Sequence, residues 1–335
     1  MTTRIAINGF GRIGRCVLRA LIENSEKYSD LEIVALNDPT PLATNAHLLK
    51  YDSVHGKFNA DIKVENDSLV INGKTIKVFA LRNIEDLPWK DLNIDIVMES
   101  TGLFRTTETA GKHLTSGAKK VMISAPAKSD DVKTIVLGVN DEQLQSSDTM
   151  ISIGSCTTNC LAPVVKVLDS ALGLVKGHMT TIHSYTNDQS VVDSSHSDLR
   201  RARAAAVSMI PTSTGAAKAV GLVLPQIKGK IDGCAIRVPT PNVSFVDLSF
   251  ESKKETTIEE VNNLIKKAVQ GELKGILDYT DEPLVSIDFT HNCHSSIFDV
   301  SQTKVVGNNF IRIGSWYDNE WGFSNRMLDI AKIWK

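Results

Sequence analysis

The sequence predicts an α/β protein of two domains: a Rossmann-type parallel sheet, then a second α+β domain carrying a mostly antiparallel sheet. Three observations predict this. The 335 residues exceed the usual length of one domain, about 100–200 residues. The first half alternates short apolar runs with helical patterns, which is typical of βαβ units and a parallel sheet. The second half has longer strand patterns interrupted by one clear helix.

Six apolar runs in the first half predict strands, and two periodic stretches predict helices. The strands are expected at residues 4–8, 32–37, 94–99, 120–124, 134–138 and 150–153, and the helices at 12–23 and 107–117. The first helix is the clearest, because Ile13, Val17 and Leu21 fall on one face.

The second half predicts strands at residues 177–183, 231–238, 242–250, 285–288, 296–299 and 310–316. Thr257 and Glu260 form a capping-box pattern at the start of a helix that Gly271 ends. A last helix over 324–334 could pack on either domain, and the change of domain is expected near 150–156. The polar segment 184–206 has no clean period, so a helix over 199–209 and a long loop both remain open.

Composition and charge exclude several classes of protein. Apolar residues make up 42% and the net charge is −2, so neither nucleic acid nor a membrane is a predicted partner. We expect no signal peptide, and no run of about 18 apolar residues could cross a membrane. The five cysteines are too few for a disulfide scaffold, which favours a reducing, cytoplasmic setting.

A glycine-rich motif directly after the first predicted strand points to a dinucleotide-binding turn. Gly9, Gly11 and Gly14 have the spacing G-x-G-x-x-G and open the first helix. The first glycine permits a tight turn, the second lets a pyrophosphate approach, and the third lets helix and strand pack closely. The pyrophosphate would lie at the helix N-terminus, where Arg12 could add charge.

Asp38 follows the second predicted strand, 24 residues after Gly14, near the spacing of a ribose-binding acid. Its carboxylate can accept both ribose hydroxyls and would repel a 2′-phosphate. An incidental acid after a turn-rich helix start is the alternative, but the combination favours a dinucleotide site.

A cysteine at a strand-to-helix junction is the candidate nucleophile. Residues 152–160 read SIGSCTTNC, so Cys156 should lie at a helix N-terminus, where the dipole favours a thiolate. The alternative, a buried structural cysteine, suits Cys160 one turn later. The pair lacks the C-x-x-C spacing and a second ligand pair, so we predict no metal site.

His183 ends a predicted strand and could act as a base toward Cys156, although the sequence alone does not make them neighbours. The region 186–237 is rich in hydroxyls, glycine and arginine, which are groups that bind phosphate oxygens. A solvated basic loop explains that composition equally well.

Seven segments together resemble the phosphorylating glyceraldehyde-3-phosphate dehydrogenase family. They are INGFGRIGR, SCTTNCLAP, TIHSYTNDQ, DLRRARAAA, PTSTGAAKAVG, RVPTPNVS and WYDNEWGFSNR, in the family's order across essentially the whole chain. The resemblance implies a glycolytic or gluconeogenic enzyme, a cytoplasmic homotetramer. It would oxidise glyceraldehyde 3-phosphate to 1,3-bisphosphoglycerate with NAD and inorganic phosphate. It also implies an NAD-binding domain over 1–155, with helix 320–335 packing back on it, and a catalytic domain over 156–319.

The resemblance assigns roles position by position. Cys156 would be the nucleophile and His183 the base, acting through a hemithioacetal and a thioester that phosphate cleaves. Cofactor contacts are expected at Gly9, Gly11, Arg12, Ile13, Gly14, Asp38, Arg82, Ser124 and Asn319. Substrate and phosphate contacts are expected at Ser155, Thr157, Thr186, Arg201, Thr214, Gly215 and Arg237.

The chain departs from the family pattern at two places. Ile153 and Gly154 stand where the family usually has Asn and Ala, so the reactivity of the cysteine could differ in either direction. Ser194 and Ser195 stand where strict NAD members often have Leu-Pro, and serine there resembles NADP-using members. Because Asp38 opposes a 2′-phosphate, we predict that NAD is preferred and that NADP has some use.

Three alternative functions are weighed against this one. Erythrose-4-phosphate dehydrogenase shares the cysteine and histidine, but SYTNDQ and PTSTGAAK match the glyceraldehyde enzyme better. A Cys/His hydrolase would not need the nucleotide-binding half. A dinucleotide-binding protein without turnover would not need every catalytic position to be filled.

Overall fold

The computed structural model describes residues 2–334, which divide into two compact units. The first unit contains the described residues up to Ile135, Asp141–Gly154 and the C-terminal residues from Ser324. The second unit contains Val136–Asn140 and Ser155–Phe323. Each unit is built around its own sheet.

The first unit contains eleven strands and four α-helices among its described residues. The strands are β1 Thr3–Asn8, β2 Leu31–Asn37, β3 Tyr51–Asp52, β4 Gly56–Lys57, β5 Ile62–Glu65, β6 Ser68–Ile71, β7 Lys74–Phe79, β8 Ile96–Glu99, β9 Lys120–Ile123, β10 Lys133–Thr134 and β11 Met150–Ser152. The helices are α1 Arg12–Glu23, α2 Leu42–Lys50, α3 Thr107–Ala110 and α4 Lys112–Thr115. Short 3₁₀ turns occur at Ile84–Asp86 and Asp141–Gln143.

Nine of these strands form one sheet in the order β10-β11-β9-β8-β1-β2-β7-β6-β5, and β3 pairs only with β4. The pairs from β10 to β7 are parallel, and β5 to β7 form an antiparallel edge. β1 lies between β2 and β8, and Asn8 is in register with Asn37 and Glu99. The carboxyl ends of three neighbouring strands therefore meet at one edge, the place where α/β sheets bind ligands.

The second unit contains seven strands, all in one sheet, and three complete α-helices. In chain order the elements are α5 Cys156–Leu172, β12 Leu174–Ser184, β13 Ile210–Ser213, α6 Ala216–Val223, β14 Ile231–Val238, β15 Ser244–Ser252, α7 Ile258–Gln270, β16 Leu277–Thr280, β17 Ser296–Val306 and β18 Phe310–Tyr317. Short 3₁₀ turns occur at Ala205–Val207, Pro225–Ile227 and Ser286–Phe289. The sheet order is β13-β14-β12-β15-β18-β17-β16, with antiparallel pairing except between β12 and β14 and between β16 and β17.

The core of the second unit lies between its sheet and the helices α5, α6 and α7. The middle of α5 is buried, including Cys160, Leu161 and Val164, and it packs with Val220 of α6 and Ile265 of α7 in one apolar cluster. Burial on nearly every side fixes α5 rigidly, so its first residue is held in a defined place.

The last helix, α8, spans Trp321–Ile333 and begins in the second unit. From Ser324 onward its residues group with the first unit, where Asp329 bonds Tyr28 at 2.9 Å and Lys27 at 2.7 Å. No helix between residues 2 and 334 is both long and apolar enough to cross a membrane.

The predicted fold class is confirmed, and several local predictions are wrong. The strand expected at 134–138 is only Lys133–Thr134, because the chain turns at Gly138 with φ +79°. The strand expected at 285–288 is the 3₁₀ turn Ser286–Phe289. The helix expected at 107–117 divides at Gly111. For residues 199–209 the sequence leaves a helix and a long loop open, and the structure has an irregular segment with one 3₁₀ turn. The hairpins β5 to β7 were not predicted at all.

Candidate active site

The glycine-rich turn of the first unit lies between β1 and α1. Gly9 has φ +91°, and a Cβ there would lie 2.7 Å from the backbone nitrogen of Thr101. A Cβ on Gly14 would lie 2.4 Å from the carbonyl oxygen of Gly9. Both positions therefore exclude a side chain by direct contact with backbone. A Cβ on Gly11 would meet open space, so the backbone there is accessible to a ligand.

A cavity of about 400 Å³ opens at this turn, inside the first unit. Four residues from the predicted cofactor set line it, namely Gly9, Gly11, Asp38 and Arg82. The others that line it are Asn8, Asn37, Pro39, Leu81, Ile84, Ser100, Thr101, Leu103 and Phe104. Sequence reasoning missed these, although Asn8 and Asn37 end strands at the carboxyl edge, which is a usable signal.

Asp38 is fixed by two backbone donors. Its Oδ2 accepts a hydrogen bond from the N–H of Phe10 at 2.8 Å, and its Oδ1 accepts from Thr40 at 2.9 Å. The carboxylate therefore connects the glycine-rich turn to the end of β2. In this position a ribose of a dinucleotide would meet a preorganised acceptor.

Arg12 has a different environment from the one expected. Its guanidinium pairs with Asp52, with Nη2 at 3.1 Å from Oδ1. Burial opposes ionisation of Asp52, but the bonds from Arg12 and from the N–H groups of Val54 and His55 more than offset it. The pKa of Asp52 therefore lies well below its usual range. Asp52 therefore largely compensates the positive charge that Arg12 could otherwise present to a pyrophosphate.

The other five predicted cofactor residues lie outside the cavity lining: Arg12, Ile13, Gly14, Ser124 and Asn319. Ile13 is in the first turn of α1, and Ser124 follows β9, where its N–H donates to the carbonyl of Glu99 at 3.0 Å. Asn319 belongs to the second unit, where its Oδ1 accepts from the hydroxyls of Ser184 and Ser244, each at 2.9 Å. These two donors hold the amide in one orientation, with its Nδ2 on the opposite side.

NAD fits the residues present in the first unit. The close-approach glycines, the accessible backbone at Gly11 and the fixed carboxylate of Asp38 are the groups that a dinucleotide's pyrophosphate and ribose require.

In the second unit, Cys156 is the first residue of α5. Ser155 caps the helix, since its Oγ accepts from the N–H of Thr158 at 3.1 Å. The sulfur of Cys156 lies 3.6 Å from Nε2 of His183, at the end of β12. The structure thus brings together two residues that are 27 positions apart in the chain and that the sequence alone could not pair.

His183 is oriented from its other nitrogen. Nδ1 lies 2.7 Å from the carbonyl oxygen of Ser184, and Nη1 of Arg237 lies 2.9 Å from the same oxygen. Nδ1 also lies 2.7 Å from Nη1 of Arg237. The carbonyl oxygen only accepts and the guanidinium only donates, so these contacts of Nδ1 are compatible with either tautomer of the neutral ring. In the tautomer that carries its proton on Nδ1, Nε2 presents its lone pair to the thiol of Cys156.

The ionisation of the pair follows from burial and one nearby charge. Burial lowers the pKa of His183 to about 3, assisted by the charge of Arg237 and opposed by the hydrogen bond to Ser184. Burial raises the pKa of the Cys156 thiol, while Arg237 and the donors of Thr157 and Cys156 itself act in the opposite direction. The imidazole is therefore neutral and able to accept a proton.

Arg237 provides the positive charge of this site. It reaches the site from β14, which pairs with β12 so that Arg237 is in register with His183. Among residues 2–334, its Nε is one of the buried donors that have no hydrogen-bond partner. A buried guanidinium N–H of this kind is satisfied by an anion.

The other predicted anion ligands occupy two loops and a helix start. Arg201 bonds Thr212 at 2.8 Å, Asp188 at 2.7 Å and the carbonyl of Ser213 at 3.1 Å. Thr186 bonds the side chain of Gln189 through its N–H at 3.0 Å. Thr214 and Gly215 precede α6, where the hydroxyl of Thr214 accepts from the N–H of Ala216 at 3.2 Å.

Tyr317 is a site residue that sequence reasoning missed. Its ring packs edge-on against the ring of His183, with centroids 5.9 Å apart. Its hydroxyl lies 2.8 Å from those of Thr157 and Thr181. Only the register of β15 and β18 brings it here, so no local sequence signal could have identified it.

Cys160 has a different environment from Cys156. It is fully buried, its sulfur lies 3.3 Å from the hydroxyl of Ser296, and burial raises its pKa to about 12. A thiol in this state is unreactive.

A thiol beside a neutral base suits attack on a carbonyl carbon, and a dinucleotide turn suits oxidation of the product of that attack. The structural class defined by these two sites is that of the nucleotide-dependent oxidoreductases.

Comparison with known proteins identifies the particular family. Residues 3–107 match the family profile described as glyceraldehyde 3-phosphate dehydrogenase, NAD binding domain, and residues 155–319 match its C-terminal domain. The chain is 59% identical to the chromosomal glyceraldehyde-3-phosphate dehydrogenase of Cupriavidus necator over 331 residues, covering 99% of this chain and 98% of the relative. It is 57% identical to the enzyme of Xanthobacter flavus and 56% identical to that of Geobacillus stearothermophilus, with the same coverage.

The chain therefore belongs to the glyceraldehyde-3-phosphate dehydrogenase family. It is an oxidoreductase, and its cofactor is NAD.

Proposed function

We propose that this protein converts glyceraldehyde 3-phosphate and inorganic phosphate to 1,3-bisphosphoglycerate through a thioester on Cys156. The observation that carries the proposal is the distance of 3.6 Å between the sulfur of Cys156 and Nε2 of a neutral His183. The relatives from Cupriavidus, Xanthobacter and Geobacillus, which share more than half of this sequence, bear the name of this enzyme.

The chemistry follows from the groups at the site. The sulfur of Cys156 adds to the aldehyde carbon and forms a hemithioacetal. Nε2 of His183 accepts the hydroxyl proton of this adduct as the carbonyl of the thioester forms. NAD, when bound, supplies the acceptor for the hydride. An oxygen of inorganic phosphate then attacks the thioester carbonyl, and the thiolate of Cys156 leaves.

Transition-state charge is stabilised by donors already in place. The N–H of Cys156 lies at the N-terminus of α5, where backbone donors are free to face a developing oxyanion. Arg237 and Thr186 would bind the phosphate of the substrate. Ser155, Thr157, Arg201, Thr214 and Gly215 would bind the attacking phosphate or lie near it. The charge of the half-buried Arg237 would compensate that of the substrate phosphate.

We assign the NAD-binding domain to residues 1–155 together with the helix at 320–335, and the catalytic domain to 156–319. The proposed cofactor contacts are Gly9, Gly11, Arg12, Ile13, Gly14, Asp38, Arg82, Ser124 and Asn319. We expect kcat/KM to favour NAD over NADP, because the fixed carboxylate of Asp38 opposes a 2′-phosphate.

We further infer a homotetramer that works in the cytoplasm. Five large apolar side chains between residues 191 and 209 are more than 70% exposed, and a partner copy of the chain would cover them: Val191, Val192, Leu199, Val207 and Met209. All five cysteines are free, as a reducing compartment would keep them.

The decisive experiment follows absorbance at 340 nm with NAD and glyceraldehyde 3-phosphate, with and without phosphate or arsenate. Sustained NADH formation that requires the anion supports the proposal. A single stoichiometric burst in every case would contradict the assigned phosphate site. Activity only with erythrose 4-phosphate would contradict the assigned substrate. Cys156→Ser is expected to abolish turnover, whereas the matched variant Cys160→Ser should retain it.

A further inference from the structure

A row of buried polar side chains follows the carboxyl ends of β2, β1 and β8. Asn37 has a fixed orientation, because its Oδ1 accepts from the N–H of Leu81 and its Nδ2 donates to the carbonyl of Leu81, each at 2.9 Å. The same Nδ2 donates to Oδ1 of Asn8 at 2.7 Å. The Nδ2 of Asn8 must then face the other way, and it donates to Oε2 of Glu99 at 2.6 Å. Backbone groups thus determine the direction of every bond up to Glu99.

A second chain of fixed direction reaches Glu99 from the other side. The indole N–H of Trp89, which can only donate, bonds Nδ1 of His113 at 3.0 Å. His113 therefore carries its proton on Nε2, and that nitrogen lies 3.0 Å from Oε2 of Glu99. Trp89 and His113 are both fully buried, so water does not compete for these bonds.

The remaining oxygen of Glu99 is occupied by Thr101. Oε1 accepts from the N–H of Thr101 at 2.8 Å and also from its hydroxyl. Four hydrogen-bond donors therefore contact one carboxyl group that is 1% exposed. They are Nδ2 of Asn8, Nε2 of His113, and the N–H and hydroxyl of Thr101. Every group that contacts the two carboxyl oxygens of Glu99 in these bonds is a donor, so both oxygens act as acceptors.

This carboxylate lies directly behind the dinucleotide cavity. Asn8 and Thr101, which it holds, both line the cavity, and Glu99 itself does not. The glycine-rich turn packs on the same loop, since a Cβ on Gly9 would lie 2.7 Å from the nitrogen of Thr101. Asn8 and Thr101, which lie in two walls of the cavity, are therefore hydrogen-bonded to the same buried carboxylate.

We propose that Glu99 is the positioning residue of the dinucleotide cavity, fixing Asn8 and Thr101 so that the glycine-rich turn is preorganised before NAD binds. Glu99 acts through these neighbours and does not touch the cofactor. The inference rests on the proposed assignment of this cavity to NAD. Preorganisation lowers the free-energy cost of binding, so its loss should affect NAD affinity before it affects chemistry.

The test uses Glu99→Gln in the full-length protein, with NAD itself as the probe. An amide offers one acceptor oxygen, so either Thr101 or the pair Asn8 and His113 loses its acceptor. We expect the Kd for NAD, measured by calorimetry, to rise about tenfold. KM for NAD should rise with it, while kcat at saturating NAD stays within about twofold. The alkylation rate of Cys156 without NAD should not change.

Matched variants separate this role from a general loss of stability. Glu108→Gln makes the same chemical change on the exposed face of α3 and should leave the Kd unchanged. His113→Leu removes one donor to Glu99 and should raise the Kd, whereas His113→Gln retains an N–H of similar reach and should restore it. The histidine pair also decides the question if Glu99→Gln does not fold.

Asp38→Ala distinguishes failure of this inference from failure of the site assignment. If Asp38→Ala weakens NAD binding and the Glu99 and His113 variants do not, the positioning role is overturned and the cavity assignment stands. If none of these variants changes the Kd, the cavity is not the NAD site and both are overturned. A fall in kcat with an unchanged KM for NAD would also overturn the positioning role.

Discussion

His183 is neutral because it is buried and lies beside Arg237, and this lowers the stability of the folded state in acid. Its pKa is about 3 in the folded state and about 6.5 in an unfolded chain. Below about pH 6.5 the unfolded state therefore binds a proton that the folded state does not. Stability should fall as the pH decreases, by about 2 kcal/mol between pH 6.5 and 5.

In His183→Gln, the fall in the free energy of unfolding that His183 causes at low pH should be absent. The measurement is the free energy of unfolding of both proteins at several pH values between 5 and 8. His178→Gln, on the exposed part of the same strand, is the matched control and should follow the wild type. Parallel curves for wild type and His183→Gln would show that the ring is not held neutral.

Gly154 explains one departure from the family pattern. It has φ +68°, a conformation that glycine adopts freely and that an L side chain adopts at a cost. Gly154→Ala should lower stability by about 1 kcal/mol and change the alkylation rate of Cys156, two residues later. Gly229→Ala, at φ +78° in open space, is the control. It should cost similar stability and leave the alkylation rate unchanged, and identical alkylation in both variants would refute the coupling.

At the scale of elements, α7 shows which local signals are reliable. Thr257 was predicted to cap this helix, and its hydroxyl accepts from the N–H of Glu260 at 3.2 Å. In a complete capping box the side chain of Glu260 would accept from the backbone N–H of Thr257. Here the carboxylate of Glu260 accepts from the hydroxyl of Thr256 at 2.9 Å. Thr257→Ala should therefore lower stability by about 1 kcal/mol in chemical denaturation, and Thr257→Ser should not. Equal stabilities of the two variants would show that the hydroxyl contributes nothing.

The sequence predicted those elements whose signals are local. The turn at Gly9 and helix α1 combine a motif with one apolar face, and both could be located from adjacent residues. The sequence of residues 107–117 has a continuous helical pattern, but the structure has two short helices that meet at Gly111. A Cβ at Gly111 would lie 2.3 Å from the carbonyl oxygen of Thr107. Tyr317 and Glu99 could not be identified, because strand register and long-range hydrogen bonds give them their partners.

At the scale of the whole molecule, the exposed apolar side chains between residues 191 and 209 point to an assembly of several copies. Leu199 is 82% exposed, and burying such a side chain against a partner copy would remove apolar surface from water and stabilise the assembly. Leu199→Asp would place a charge in that interface at a cost that burial cannot offset. Light scattering coupled to size-exclusion chromatography should therefore show a smaller species for Leu199→Asp than for the wild-type protein, for which we propose a tetramer. Val64→Asp, on strand β5 of the first unit, is the matched control and should have the same mass in solution as the wild type. A wild-type monomer, or a tetramer that Leu199→Asp does not weaken at any concentration, would place the interface elsewhere on the molecule.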